Sequence, residues 1–241
     1  MINTIISVEN IHNNIIEITD KKDINHLKNV FRINIGDEIR ASDGEKIYIS
    51  KVLFIDKNNI KMQIDKICCD AYSSKIRLDM GISLIKNDKM DMVIQKLTEL
   101  GVDSIIPIIT ERVIINLKEK EEKKLEKWNL ISRETLKQCQ GIKKVNICNL
   151  QKLQDIDFDN YELIIVPYEC ENENTIKNLL SNISKIPENI LVIIGPEGGF
   201  APKEITFLVN KGAKIVTLGK RILRAETASI VVGGILLNEF M

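Results

Sequence analysis

The chain has 241 residues, with 34 Lys and Arg against 34 Asp and Glu and 44% apolar residues, enough for one large domain or two small ones with proper cores. Zero net charge weakens the case for nucleic-acid binding by overall charge, so an RNA partner needs a local basic patch. Five cysteines without a C-x-x-C pair and only two histidines exclude a zinc centre, leave no metal site and point to a reduced, cytoplasmic setting. No leader pattern or run of eighteen apolar residues is present, so a soluble chain is expected.

Residues 1–72 read as a small β domain. Short strands are expected at Ile15–Ile18, Glu38–Ala41, Lys46–Leu53 and Asn59–Ile67, punctuated by turns at Gly36-Asp37 and Asp43-Gly44. Ile24–Phe31 reads as a helical turn capped by Asp23. Cations and anions balance across this stretch, so no basic patch stands out. Asp70–Lys75 is small, polar and without periodicity, as a linker would be.

From residue 73 to 241 the pattern alternates strands and helices, the signature of an α/β domain on a parallel sheet. A strand at Arg77–Ile85 leads into a helix at Asp88–Leu100, where Met90, Val93, Ile94, Leu97 and Leu100 share one face and Gly101 ends it. A strand at Ser104–Ile109 carries Thr110, Glu111 and Arg112 at its carboxyl end. A charged helix follows over Glu119–Gln140, with a cationic excess toward its end at Arg133, Lys137, Lys143 and Lys144. Such a face is either solvated or suited to phosphate. A strand at Leu163–Val166 opens into Pro167-Tyr168-Glu169, expected as a third loop over the sheet's ligand crevice, and a helix covers Thr175–Ser184. The last helix, Thr227–Phe240, is apolar around nearly its whole circumference. It must be buried in the core or against a twin subunit, with Gly233-Gly234 letting another backbone come close.

Two further strands, Leu191–Ile194 and Lys214–Leu218, each end in a glycine, Gly195 and Gly219, and each loop then feeds a helix. The strands are expected to be neighbours, so that the two loops share the crevice beyond the sheet's carboxyl edge, where open α/β sheets bind ligands. The first loop, GPEGG, lacks the spacing of either common nucleotide motif, and Glu197 would repel a phosphate. Pro202 and Glu204 suit the start of the next helix. Taken alone, GPEGG serves equally as a plain turn. The second loop interleaves Lys220, Arg221 and Arg224 with Ile222 and Leu223 ahead of Glu226-Thr227, which is more than a surface turn needs.

IGPEGGF followed at this distance by LGKRILRAETA resembles the SPOUT class of S-adenosylmethionine-dependent RNA methyltransferases, and within it the RsmE family, which methylates N3 of a uridine in 16S ribosomal RNA. HLKNVFRINIGDEIRASDGEKIY is similar to that family's amino-terminal PUA-like domain, and KNDKMDMVIQKLTELGVDSIIPIITER continues the match. The resemblance implies a PUA-like β-barrel domain over residues 1–72 and an α/β trefoil-knot methyltransferase domain over 73–241. It implies that Ile194, Gly195, Pro196, Gly199, Leu218, Gly219, Ile222, Leu223, Thr227 and Ala228 hold the S-adenosylmethionine cofactor. RNA contacts are implied at Arg32, Lys86, Lys89, Arg112, Arg133 and Gln138, with His26 a further candidate, and a homodimer through the carboxyl-terminal helix. Where the family carries an arginine, this chain has Gly141, with Lys143 and Lys144 nearby.

The residues themselves suggest how methyl transfer would be served. Arg224 suits stabilisation of a uridine anion, and Glu197 or Glu226 suits acceptance of the N3 proton. Two alternatives remain at this stage. One is a SPOUT enzyme acting on transfer RNA or a ribose 2′-hydroxyl, the other a non-catalytic RNA-binding ribosome-assembly factor.

Overall fold

A computed structural model describes residues 2–69, 74–114, 121–139 and 141–240. Most of the expected linker, and residues 119, 120 and 140 of the expected charged helix, lie outside them. The chain divides into two compact units, Met1–Tyr72 with Arg133–Lys144, and Ser73–Ser132 with Val145–Met241.

The first unit contains β1 (Ile2–Ile5), β2 (Ile11–His12), β3 (Ile15–Ile18), the short helix α1 (Lys21–Asn25), β4 (Glu38–Ser42), β5 (Lys46–Ile55) and β6 (Ile60–Cys69). The six strands form one sheet in the order β1-β4-β5-β6-β3-β2, antiparallel except for β1 against β4. Alternation along β3 and β6 sends Ile16, Ile18, Ile60, Met62 and Ile64 into a core shared with Leu27 and Ile39. Asp23 is not the helix cap. Asp20 is, accepting from the backbone N–H groups of Lys22 and Asp23 at 2.9 and 3.0 Å. Asp23 instead lies buried and accepts from Arg133 Nη2 at 2.6 Å and Lys137 Nζ at 2.9 Å. Lys137, counted above with a cationic face, is therefore a buried counter-ion, held also by Glu134 at 3.0 Å.

The second unit contains β7 (Arg77–Ser83), α2 (Asn87–Leu100), β8 (Ser104–Ile109), the start of α3 (Glu121–Cys139), β9 (Asn146–Ile147), β10 (Gln151–Lys152), β11 (Leu163–Pro167), α4 (Ile176–Ser181), β12 (Asn189–Ile194), α5 (Pro202–Asn210), β13 (Lys214–Val216) and α6 (Ala225–Glu239). The strands are parallel in the order β10-β8-β7-β12-β11-β13, with β9 also paired to β8. Both faces are covered, which is why the strands read as continuous apolar runs. Ile190, Val192 and Ile194 of β12 pack with α2 and α6, while Leu191 and Ile193 pack on the opposite side with Phe158, Phe200 and Leu208. α2 presents the expected Met90, Val93, Ile94 and Leu97 to the first of these cores, and Gly101 ends it with a positive φ.

Two expectations need revision. The strands ending at Gly195 and Gly219 are not neighbours, because β11 lies between β12 and β13. The Gly233 of α6 does admit a close neighbour, but within the same chain: a Cβ there would lie 3.3 Å from Leu97 and 3.5 Å from Leu100 of α2.

Candidate active site

Since β11 separates the two glycine-ended strands, three loops leave the carboxyl edge of the sheet side by side. Each is fixed by hydrogen bonds of its own. After β12, Gly199 N–H donates to the Pro196 carbonyl at 2.9 Å, with Gly199 at φ +67°, a conformation costly for any residue with a Cβ. Pro202 then opens α5, as expected, and the buried Glu204 accepts from two backbone donors, Ala201 and Glu111, at 2.8 Å each. That carboxylate caps the helix and ties the loop to the segment after β8. Arg112 Nη1 adds a second tie, donating to the Gly198 carbonyl at 2.9 Å. After β13, the Thr217 hydroxyl accepts from Gly219 N–H at 3.2 Å. After β11, Tyr168 N–H donates to the Val216 carbonyl at 3.0 Å. The Tyr168 phenol is pushed above the ordinary tyrosine range by its hydrogen bond with Cys170, and by burial.

These loops enclose a cavity of about 290 Å³. Nine of the ten residues expected to hold the cofactor line it: Ile194, Gly195, Pro196, Gly199, Leu218, Gly219, Ile222, Leu223 and Ala228. The tenth, Thr227, points to solvent from α6 and lines no cavity seen among the described residues. The third loop contributes residues that the glycine pattern did not single out, among them Tyr168, Glu169 and Asn172. The apolar run breaking at Pro167 places Tyr168 and Glu169 in a loop over this crevice, and nothing in the sequence singles out Asn172.

A second cavity adjoins the first, sharing Glu169, Pro196, Gly199, Ile222, Leu223 and Ala225 as a common wall and adding Lys89, Glu197, Gly198 and Arg224. Ile222 is 79% exposed on that wall. The charges are unevenly committed. Lys89 Nζ lies 3.6 Å from Glu197 and 3.4 Å from Glu226. Glu197 also accepts from Lys86 N–H at 3.3 Å. Glu226 is 7% exposed at the start of α6, lines neither cavity, and has one oxygen without a hydrogen-bond partner among the described residues. Of the two proton-acceptor candidates, Glu197 thus lines the second cavity and Glu226 lines neither of these two. Arg224 precedes α6 and is exposed; its carbonyl accepts from Ala228 N–H at 2.8 Å, and its guanidinium has no hydrogen bond or ion pair among the described residues.

The expected RNA contacts divide between the units. Lys86, Lys89 and Arg112 flank the second unit's cavities, although Lys89 and Arg112 already hold protein partners. In the first unit Arg32 is exposed at φ +54°, just after the π-turn His26–Val30. There His26 packs edge-on against Phe31. Arg133 is bound to Asp23, and Gln138 is exposed. Gly141 has a packing reason, since a Cβ there would lie 2.6 Å from Leu136 Cδ2. Among the described residues no cluster of His, Cys, Asp and Glu could hold a metal, and no helix is long and apolar enough to cross a membrane.

The first cavity fits S-adenosylmethionine in its donor set: aliphatic walls for an adenine ring, loop backbone for ribose and amino-acid groups, and free space beside Gly219. At φ +139° a Cβ on that glycine would meet no atom within 4 Å. Residues 72–237 match the family model described as an RNA methyltransferase domain, and residues 18–65 the one described as an RNA methyltransferase PUA domain. The chain is 30% identical to the ribosomal RNA small subunit methyltransferase E of Rickettsia conorii, over 90% of this chain and 87% of that one. It is 31% identical to the protein of that name from Aquifex aeolicus, over 90% and 91%. Among solved structures it is similar to a ribosomal RNA small subunit methyltransferase E from Neisseria gonorrhoeae bound to S-adenosyl methionine, with a TM-score of 0.85 and 25% identity over 99% and 97% of the two chains. A Legionella pneumophila protein in complex with the bound cofactor SAM superposes with a TM-score of 0.84 at 26% identity, over 98% and 96%.

Proposed function

Because the chain belongs to the ribosomal RNA small subunit methyltransferase E family, an S-adenosylmethionine-dependent group acting on ribosomal RNA, we propose that it methylates N3 of a uridine in 16S RNA. The observation that carries this reading is the pair of cavities with one common wall: a donor held in the first would meet an acceptor base held in the second. When bound, S-adenosylmethionine supplies an electrophilic methyl group on a sulfonium. Everything else falls to the chain.

Ile194, Leu218 and Leu223 hold the adenosine by apolar contact, and the tied loops hold their shape without waiting for the ligand. In the second cavity Ile222 offers a flat-packing surface for the base. N3 of uracil carries a proton that must leave before the nitrogen can attack. Glu197 receives it, and the uncommitted cation of Arg224 lowers the cost of the anion that results. An ordinary carboxylate is a weak base for this proton, so the larger share of the acceleration rests on Arg224. Glu226 anchors Lys89 from below.

Arg32 and Lys86 supply phosphate contacts in their separate units, supported by Arg112, Arg133, Lys143 and Gln138. The half-buried stripe Ile230, Val231, Gly234 and Ile235 on α6 forms a homodimer interface. The trefoil knot and a cytoplasmic location complete this reading. Two measurements test it. Calorimetric titration should show one S-adenosylmethionine site per chain. Mass mapping of 16S RNA from cells lacking the protein should reveal one uridine that has lost an N3 methyl group. A ribose methyl lost instead, or a transfer-RNA change, would overturn the choice of target.

A further inference from the structure

Among the described residues, Glu169 is the one charged side chain on the wall common to both cavities; its fellows there are Pro196, Gly199, Ile222, Leu223 and Ala225. Its carboxylate occupies the space that Gly199 vacates: a Cβ on Gly199 would lie 2.1 Å from Glu169 Oε1. Glu169 is exposed, and with no side chain on Gly199 its carboxylate lies directly against the left-handed turn. That carboxylate has no hydrogen bond or ion pair among the described residues. An anion seated on the boundary and left uncommitted awaits a cation from outside.

On the reading above, which this inference deepens and rests upon, the transferred methyl must cross the same boundary. The charge on the donor sits one bond away from that methyl. We propose that Glu169 reads the sulfonium charge of the donor and thereby separates S-adenosylmethionine from its neutral spent form, S-adenosylhomocysteine. As the methyl leaves, the sulfonium becomes a thioether, the attraction lapses, and the product is released more readily than the donor. The carboxylate is a specificity residue for the donor and takes no part in moving the proton.

Calorimetry on the full chain and on Glu169→Gln tests this with both ligands. The amide keeps the shape and the hydrogen-bonding reach but removes the charge. We expect the Kd for S-adenosylmethionine to rise about ten-fold and that for S-adenosylhomocysteine to change less than about two-fold, the second ligand confirming that the variant is folded. Glu169→Asp should recover part of the loss. Equal losses for both ligands would place the carboxylate on the ribose or the ammonium group and overturn the proposal. So would unchanged binding of both, whether turnover falls, as for a proton acceptor, or stays. An unaltered chain that binds neither ligand would instead refute the assignment of the cavity itself.

Discussion

At the amino edge of the parallel sheet, Asp79 is 1% exposed and takes hydrogen bonds from Arg77 Nη2 at 2.9 Å and from the Tyr161 hydroxyl at 2.8 Å. Beside it Asp103 accepts from Leu78 N–H at 2.8 Å. At the carboxyl edge of the same sheet, Glu169 and Arg224 stand around two cavities with no such partner among the described residues. One edge has spent its polar groups on holding strands together, and the other has kept them for something that arrives later. Buried charge is costly unless compensated, so saturation marks a structural role. Unpaired charge on a cavity wall marks a binding one.

Substitutions at the two edges should therefore separate stability from function. The largest effect is expected at Arg224. Arg224→Ala should reduce single-turnover methylation by about 10²–10³-fold, the scale of losing one aligned electrostatic stabiliser. Donor Kd should stay within about two-fold and the urea midpoint should not move. A large loss of donor binding with full turnover at saturation would reverse its role. Next comes Asp79→Ala, which strands the Tyr161 hydroxyl and should lower unfolding free energy by about 2–3 kcal/mol in urea titrations. Donor affinity of the folded fraction should be unchanged, and a parallel loss of affinity would erase the division between the edges.

The smallest effect is expected for Tyr161→Phe, about 1 kcal/mol at neutral pH. Burial, and then the hydrogen bond to Asp79, raise the Tyr161 phenol well above its ordinary value of 10.0. The folded chain thus keeps this proton where the unfolded chain gives it up. Its contribution is full below about pH 10 and declines as pH rises further. Urea midpoints taken between about pH 9 and 11 should fall more steeply for the natural chain than for the phenylalanine variant.

Much of this was legible in advance, and the gaps have physical causes. The alternation of β3, the α2 face and the Pro202 start of α5 are local signals, set by neighbours three or four residues away. Strand order is not local, and nothing in the apolar runs of β12 and β13 indicated that β11 would lie between them. Glu169 was legible as part of a third loop over the crevice, but not its place beside Gly199, thirty residues on, which depends on that residue having no side chain. Asp20 and Asp23 both precede helical residues and look alike as caps. What distinguishes Asp23 is a pair of cations more than a hundred residues away. Helix phase sets Thr227 apart from the other expected cofactor residues: with α6 beginning at Ala225, the cavity falls to Ala225 and Ala228, and Thr227 turns outward.

Glu204 carries a final consequence. It receives N–H groups from two directions, Ala201 on one oxygen and Glu111 on the other. Glutamine, nearly identical in size, would have to turn an NH₂ toward one of those donors, and either orientation breaks a bond. The position is therefore closed to its nearest isostere by symmetry of demand, with bulk playing no part.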